Sequence, residues 1–176
     1  MHFYATGTPD LSLVTSMHEA FAYCKVFNEN INHWDVSHVT NFVNTFLGCH
    51  HLHQPLDQWD VSLAERMEGM FENAYDFNQP INTWDVSHVW NMRMIFAFAR
   101  NFNQPTGNWN TGNVRYMVFM FARACNFDQN LDSWDIHSLT SAYGMFNSFN
   151  PKLRCIAYRM AKSTTSFKRS IRRRLQ

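Results

Sequence analysis

The chain has 176 residues, of which 45% are apolar and 16% aromatic, enough to bury a core and too many large side chains for a disordered polymer. All 14 acidic but only 6 of the 15 basic residues precede Asn150, and the last 26 residues carry the other 9 cations with no acid, so a formal charge of +1 conceals an acidic body and a basic tail. No apolar run reaches the roughly 18 to 20 residues of a membrane span, and the opening MHFYATGTPDLSLV lacks the charged head and apolar stretch of a signal peptide.

Repetition dominates the chain from near its start. Asp10-Leu11-Ser12, with Val14, Met17 and Phe21 behind it, opens an imperfect first unit in which Pro9 stands where later units have tryptophan. Trp34, Trp59, Trp84, Trp109 and Trp134 then follow 25 residues apart, with no insertion or deletion between them. A fixed period of this length marks a repeat array.

Within a unit the first predicted element is a short strand. Ile31/Trp34/Val36, Leu56/Trp59/Val61, Ile81/Trp84/Val86 and Leu131/Trp134/Ile136 share an apolar-x-x-Trp-x-apolar pattern whose last three positions alternate as in a half-buried strand. Pro55, Pro80 and Pro105 lie just ahead of it, where a missing N–H costs no ladder bond. The second predicted element is a helix, opened by Ser37, Ser62 or Ser87 as N-cap, with Ser62-Leu63-Ala64-Glu65 as a capping box. Val89, Met92, Ile95, Phe96 and Ala99 fall on one helical face, which must pack on the strand layer. A loop reading Phe77-Asn78-Gln79, Phe102-Asn103-Gln104 or Phe127-Asp128-Gln129 closes the unit. One unit cannot cover its own apolar sides, so neighbours must stack on it, with the indoles forming a continuous interior column.

The sentence FNQPINTWDVSHVWNM, followed by Ile95-Phe96, resembles the repeat of BspA-like leucine-rich repeat proteins, roughly FNQ-x-L-x-x-WDVSNVTNM-x-x-MF-x-x-A, over about residues 10 to 150. The resemblance implies a leucine-rich-repeat-type solenoid of the kind found on bacterial surface proteins and lipoproteins and among microbial eukaryotes, associated with adhesion or partner binding. No cofactor is assigned. His38 and His88 replace the usual asparagine, and Phe42 and Thr45 replace methionines. Thr106, Asn110, Thr111 and Gly112 around Trp109 predict a weak or bent strand there. The secretion signal and lipid anchor of typical members are not in this sequence, and the compartment stays undetermined. The expected architecture is α/β: a solenoid of about six 25-residue strand-helix units over 1–150, a capping helix over 151–162 on Leu153, Ile156, Ala157 and Met160, and a basic tail over 163–176.

If tryptophan points inward, its neighbours point out, and one sheet face presents His33 and Asp35, Gln58 and Asp60, Thr83 and Asp85, Asn108 and Asn110, and Ser133 and Asp135. This strip is the candidate binding surface, for a cation or a basic partner. Local hydrogen bonding to nearby N–H groups is the competing and favoured reading of the aspartates. Cys49, His50, His51 and His53 bring metal-ligand types within five positions, but their columns elsewhere hold small or loop residues, so no metal is assigned. A Cys24–Cys49 disulfide requires Cα atoms within about 7 Å. The acids and serines that chemistry would need recur at the same place in other units, so no catalytic residue is assigned and the chain is read as non-enzymatic. In the tail, Lys168, Arg169, Arg172, Arg173 and Arg174 surround Phe167, Ile171 and Leu175. A solvated tail, contact with a membrane surface, an acidic partner or nucleic acid, or a nuclear-import-like signal, are its open readings.

Overall fold

The computed structural model describes residues 9–147. The 25-residue period becomes a stack of six rungs, joined in parallel through isolated bridges at Ser16, Asn41, Arg66, Asn91, Tyr116 and Ser141. Neither the strands nor the helices of the expected α/β leucine-rich-repeat solenoid form: among the described residues there is no α-helix, and pairing is confined to these single bridges. The expected capping helix and tail lie outside the described residues.

Rung 4 shows why. Its tryptophan segment is pinched between two tight turns, in which Trp84 N–H donates to Ile81 C=O at 3.2 Å and Val89 N–H to Val86 C=O at 3.0 Å. The alternating run between them is too short to pair as a strand. Residues 90–98 then form what we call the turn wall, equivalent to 15–23, 40–48, 65–73, 115–123 and 140–147 in the other rungs. Here Ile95, Ala97 and Ala99 donate to carbonyls three residues back, at 3.4, 3.0 and 3.1 Å. The alternate residues Met92, Met94, Phe96 and Phe98 donate instead to Tyr116, Val118, Met120 and Ala122 of rung 5, at 2.9, 2.9, 3.0 and 2.7 Å. An α-helix would send each of these N–H groups four residues back along its own chain.

Two backbone positions per rung make this possible. Met94 and Phe98 have φ of 57° and 60°, in the left-handed region that interrupts a right-handed helix. The same two columns hold Glu19 and Tyr23, Asn44 and Gly48, Gly69 and Asn73, Phe119 and Arg123, and Gly144, with φ between 54° and 70°. Ser37, Ser62 and Ser87 therefore cap no helix, and the apolar spacing from Val89 to Ala99 buries its side chains on a succession of turns. Val89, Met92, Ile95, Phe96 and Ala99 are fully buried all the same.

The core is one cluster running through every rung. Its continuous column is phenylalanine: Phe21, Phe46, Phe71, Phe96, Phe121 and Phe146 stack in order with centroids 5.4, 5.6, 5.7, 5.6 and 5.9 Å apart. The loop phenylalanines Phe77, Phe102 and Phe127 form a second column and lie 3.8 to 4.0 Å from the first. The tryptophans face inward as expected, but each indole packs on a phenylalanine, as Trp84 does on Phe71 at 6.1 Å, and the expected column of stacked indoles is not formed. Indole N–H groups tie the rungs together: Trp59, Trp84, Trp109 and Trp134 donate from Nε1 to the carbonyls of Ile31, Leu56, Ile81 and Thr106, 28 residues earlier, at 3.0, 3.0, 3.1 and 2.8 Å. The rung at Trp109 joins its neighbours through the same contacts, so its departures from the repeat do not interrupt the stack.

Thr106 replaces the apolar residue of its column and is fully buried, with no hydrogen-bond partner for its hydroxyl. Thr106→Val keeps the shape and removes the unpaired group, and should stabilise the protein by about 1 kcal/mol in urea unfolding; a loss of stability would show that the hydroxyl is satisfied in solution. Phe96→Ala removes a ring stacked on both sides and should cost about 3 to 5 kcal/mol in the same measurement.

Candidate functional site

The ten residues of the candidate strip, His33, Asp35, Gln58, Asp60, Thr83, Asp85, Asn108, Asn110, Ser133 and Asp135, are all exposed and recur rung after rung. They flank the buried tryptophans, on the short segment between two turns rather than on a sheet. Each aspartate closes a local turn by accepting from the N–H two residues ahead. Ser37, Ser62, Ser87 and His137 donate to Oδ1 of Asp35, Asp60, Asp85 and Asp135 at 3.0, 3.0, 2.9 and 3.0 Å. Asp10 receives Ser12 at 3.0 Å in the same way. Asn110 performs the same turn for Gly112 at 3.2 Å without a charge. These are Asx turns, in which a short polar side chain replaces a backbone acceptor.

The hydrogen bonds stabilise the ionised carboxylates. The Ser37 hydroxyl, then its N–H, hold the Asp35 carboxyl below its ordinary value of 3.8, and Ser87 does the same for Asp85. The His137 N–H, then its side chain, lower Asp135. Asp35, Asp60 and Asp85 occupy consecutive rungs, and carboxylates at roughly 5 Å repel by up to about 1 kcal/mol per pair in water. Beside them, inter-rung bonds organise the strip: Gln58 N–H donates to Asn32 Oδ1 at 3.0 Å, Asn108 Nδ2 to Asn82 C=O at 2.7 Å, and the Ser133 hydroxyl to Gly107 C=O.

The closing loops carry a ladder that the sequence reading missed. Asn78 Oδ1 accepts the N–H of Asn103 at 2.9 Å, and Asn103 Oδ1 that of Asp128 at 2.8 Å. Gln104 and Gln129 reach back from the later rung to the carbonyls of Asn78 and Asn103 at 2.8 and 3.0 Å. The recurrent Asn-Gln pair is thus an inter-rung fastening. Its signal in the sequence was the pairing of the two amides at one period.

The Cys49 to His53 group does not converge. The buried Cys49 thiol donates to Phe21 C=O at 3.0 Å. His50 stacks on Tyr75 at 4.4 Å, His51 Nδ1 meets Asp76 Oδ2 at 2.9 Å, and His53 Nε2 meets Asn28 Nδ2 at 2.9 Å. An amide nitrogen only donates, so His53 Nε2 is the acceptor and its Nδ1 carries the proton given to His51 C=O at 2.8 Å. Among the described residues no three His, Cys, Asp or Glu side chains form a metal-ligand group. Cys24 and Cys49 are both free thiols, the first exposed and the second buried. Lys168, Arg169, Arg172, Arg173 and Arg174 lie outside the described residues.

A family model described as "Mycoplasma protein of unknown function, DUF285" matches residues 3–89 and again 44–156. No curated protein and no solved structure matches the chain.

Two outcomes follow from the side-chain environments. Burial pushes the Cys49 thiol up to about 12, so thiol mapping by mass spectrometry at neutral pH should label Cys24 and Cys125 promptly and Cys49 only on unfolding; prompt labelling of Cys49 would contradict the packing. The lowered carboxyls of Asp35, Asp85 and Asp135 contribute stability that is complete above their ordinary 3.8 and is lost as pH falls through the lower folded value. Acid unfolding should therefore begin below about pH 4, and Asp85→Asn, which keeps the turn acceptor, should flatten that part of the stability profile.

Proposed function

Since the chain belongs to DUF285, a repeat-containing protein family, we propose that it is a non-enzymatic interaction module whose rung strip engages a basic macromolecular partner, in the manner of a BspA-like surface or adhesin repeat. The observation that carries this reading is the exposure of Asp35, Asp60, Asp85 and Asp135 in one repeating column. Each carboxylate is held in position by its own turn, so little ordering is required on contact. A partner reading several rungs at once gains from many shallow contacts, each weak alone. The structural role of the aspartates is compatible with display, because their turn bonds use Oδ1.

A second reading rests on the charge division: a tail with 9 cations and no acid in 26 residues suits an anionic partner, with the rungs as scaffold. Removal of residues 163–176 separates the two, because only tail binding disappears and takes a steep salt dependence with it.

Asn110 shows that asparagine makes the same turn, so Asp35→Asn/Asp60→Asn/Asp85→Asn removes charge while retaining the fold. With a partner captured by crosslinking and then purified, the triple variant should raise Kd at least about tenfold, a loss near 1.4 kcal/mol, while keeping a native circular dichroism spectrum and losing only the small charge-dependent part of its stability near neutral pH. An unchanged Kd would remove the strip from the interface.

A further inference from the structure

The rungs differ most on the turn wall. In rungs 2 and 3 its two left-handed columns hold Asn44, Gly48, Gly69 and Asn73, residue types that accept positive φ at small steric cost. Rungs 4 and 5 place Met94, Phe98, Phe119 and Arg123 on the same backbone, at φ of 57°, 60°, 54° and 57°. Rung 1 likewise places Glu19 and Tyr23 there, at 56° and 61°. Large side chains held in an unfavourable conformation, where the middle rungs use small ones, point to a role outside the stack. Phe119 reaches over rung 6, its ring filling the space where a Cβ on Gly144 would lie and meeting Tyr143 edge-on at 5.3 Å. The Arg123 guanidinium lies 5.7 Å from the Phe98 ring, and Trp90 meets Tyr116 edge-on at 6.2 Å. Trp90, Met94, Phe98, Tyr116, Phe119 and Tyr143 are all only half-buried. No acid occurs between Asp85 and Asp128, and the cations in that span are all arginine. Aromatic residues, methionine and arginine together, without lysine, are the composition of a protein–protein interface core.

The same wall in rungs 1 to 3 is its complement. It carries Glu19, Glu65, Glu68 and Glu72 against the single arginine Arg66; its left-handed columns are shallow in rungs 2 and 3, at Asn44, Gly48, Gly69 and Asn73, and hold Glu19 and the exposed Tyr23 in rung 1. One half is therefore acidic, and low in rungs 2 and 3, while the other is basic and raised, with Arg93, Arg115 and Arg123 balancing the acid excess.

We propose that the turn wall is a self-association surface, on which two copies of the chain pair antiparallel so that rungs 4 to 6 of each lie on rungs 1 to 3 of the other. Parallel pairing would set arginine on arginine and glutamate on glutamate. The antiparallel arrangement makes each contact twice about a two-fold axis and closes at the dimer. A standard interface takes about 800 Å² per partner, less than a tenth of the 9657 Å² surface, so one side of the stack is large enough.

The test is sedimentation equilibrium of the full chain at about 100 µM, well above a micromolar Kd. The wild type should sediment at twice 20.8 kDa and dissociate as salt rises. Arg93→Glu/Arg115→Glu/Arg123→Glu and, separately, Glu19→Arg/Glu65→Arg should each be monomeric with native near-ultraviolet circular dichroism. Mixing the two variants should restore a dimer, because both cross-copy contacts again join opposite charges. A monomeric wild type, or natively folded reversal variants that remain dimeric, would overturn the proposal. So would a wall that leaves the chain monomeric and holds anionic vesicles or an acidic protein instead.

Discussion

The structure depends on a backbone constraint: two residues in each of rungs 1 to 5 adopt left-handed φ, and this turns alternate N–H groups away from their own chain and toward the next rung. Without it the apolar turn wall would wind into a helix and satisfy itself, leaving the rungs without main-chain links along this side. Each link contributes about 0.5 to 1.5 kcal/mol net, and the alternate N–H groups of rung 4 donate four of them to rung 5. Two non-glycine residues in the left-handed region cost about 1 to 2 kcal/mol each. The terms nearly cancel, so stability rests on what the geometry brings together, the phenylalanine column and the indoles that donate across each rung boundary.

The sequence revealed the period, the inward tryptophans, the exposed neighbours of those tryptophans and the stacking, because each is set by spacing alone. It misrepresented the secondary structure. The steps of three and one from Val89 to Ala99 fit a helical face, yet a succession of four-residue turns buries the same side chains. A signal against the helix was present in Gly48, Gly69 and Gly144 with Asn44 and Asn73, all confined to two columns four residues apart in the middle of the supposed helix. Glycine there is unfavourable in a helix and favourable at positive φ. The serine after each Trp-Asp-Val likewise fits both an N-cap and an Asx turn, and the turn bond from its N–H decides between them.

The two surfaces of the stack carry different kinds of information. The aspartate column is nearly uniform, and its residues both close turns and face solvent, so charge and fold are separable only by a substitution such as asparagine, which Asn110 already supplies. The turn wall changes character midway along the stack, from carboxylates over asparagine and glycine to arginines among half-buried rings. Uniform columns follow from the demands of stacking. A column that departs from them, at a steric cost, is where a particular partner leaves its mark.

The most direct test of the backbone account is the measurement of scalar couplings across hydrogen bonds by NMR. The account predicts couplings from the amide nitrogens of Met94 and Phe96 to the carbonyl carbons of Val118 and Met120, one rung away. A coupling from Phe96 nitrogen to the Met92 carbonyl carbon, four residues back, would show that the wall is a helix and would contradict it.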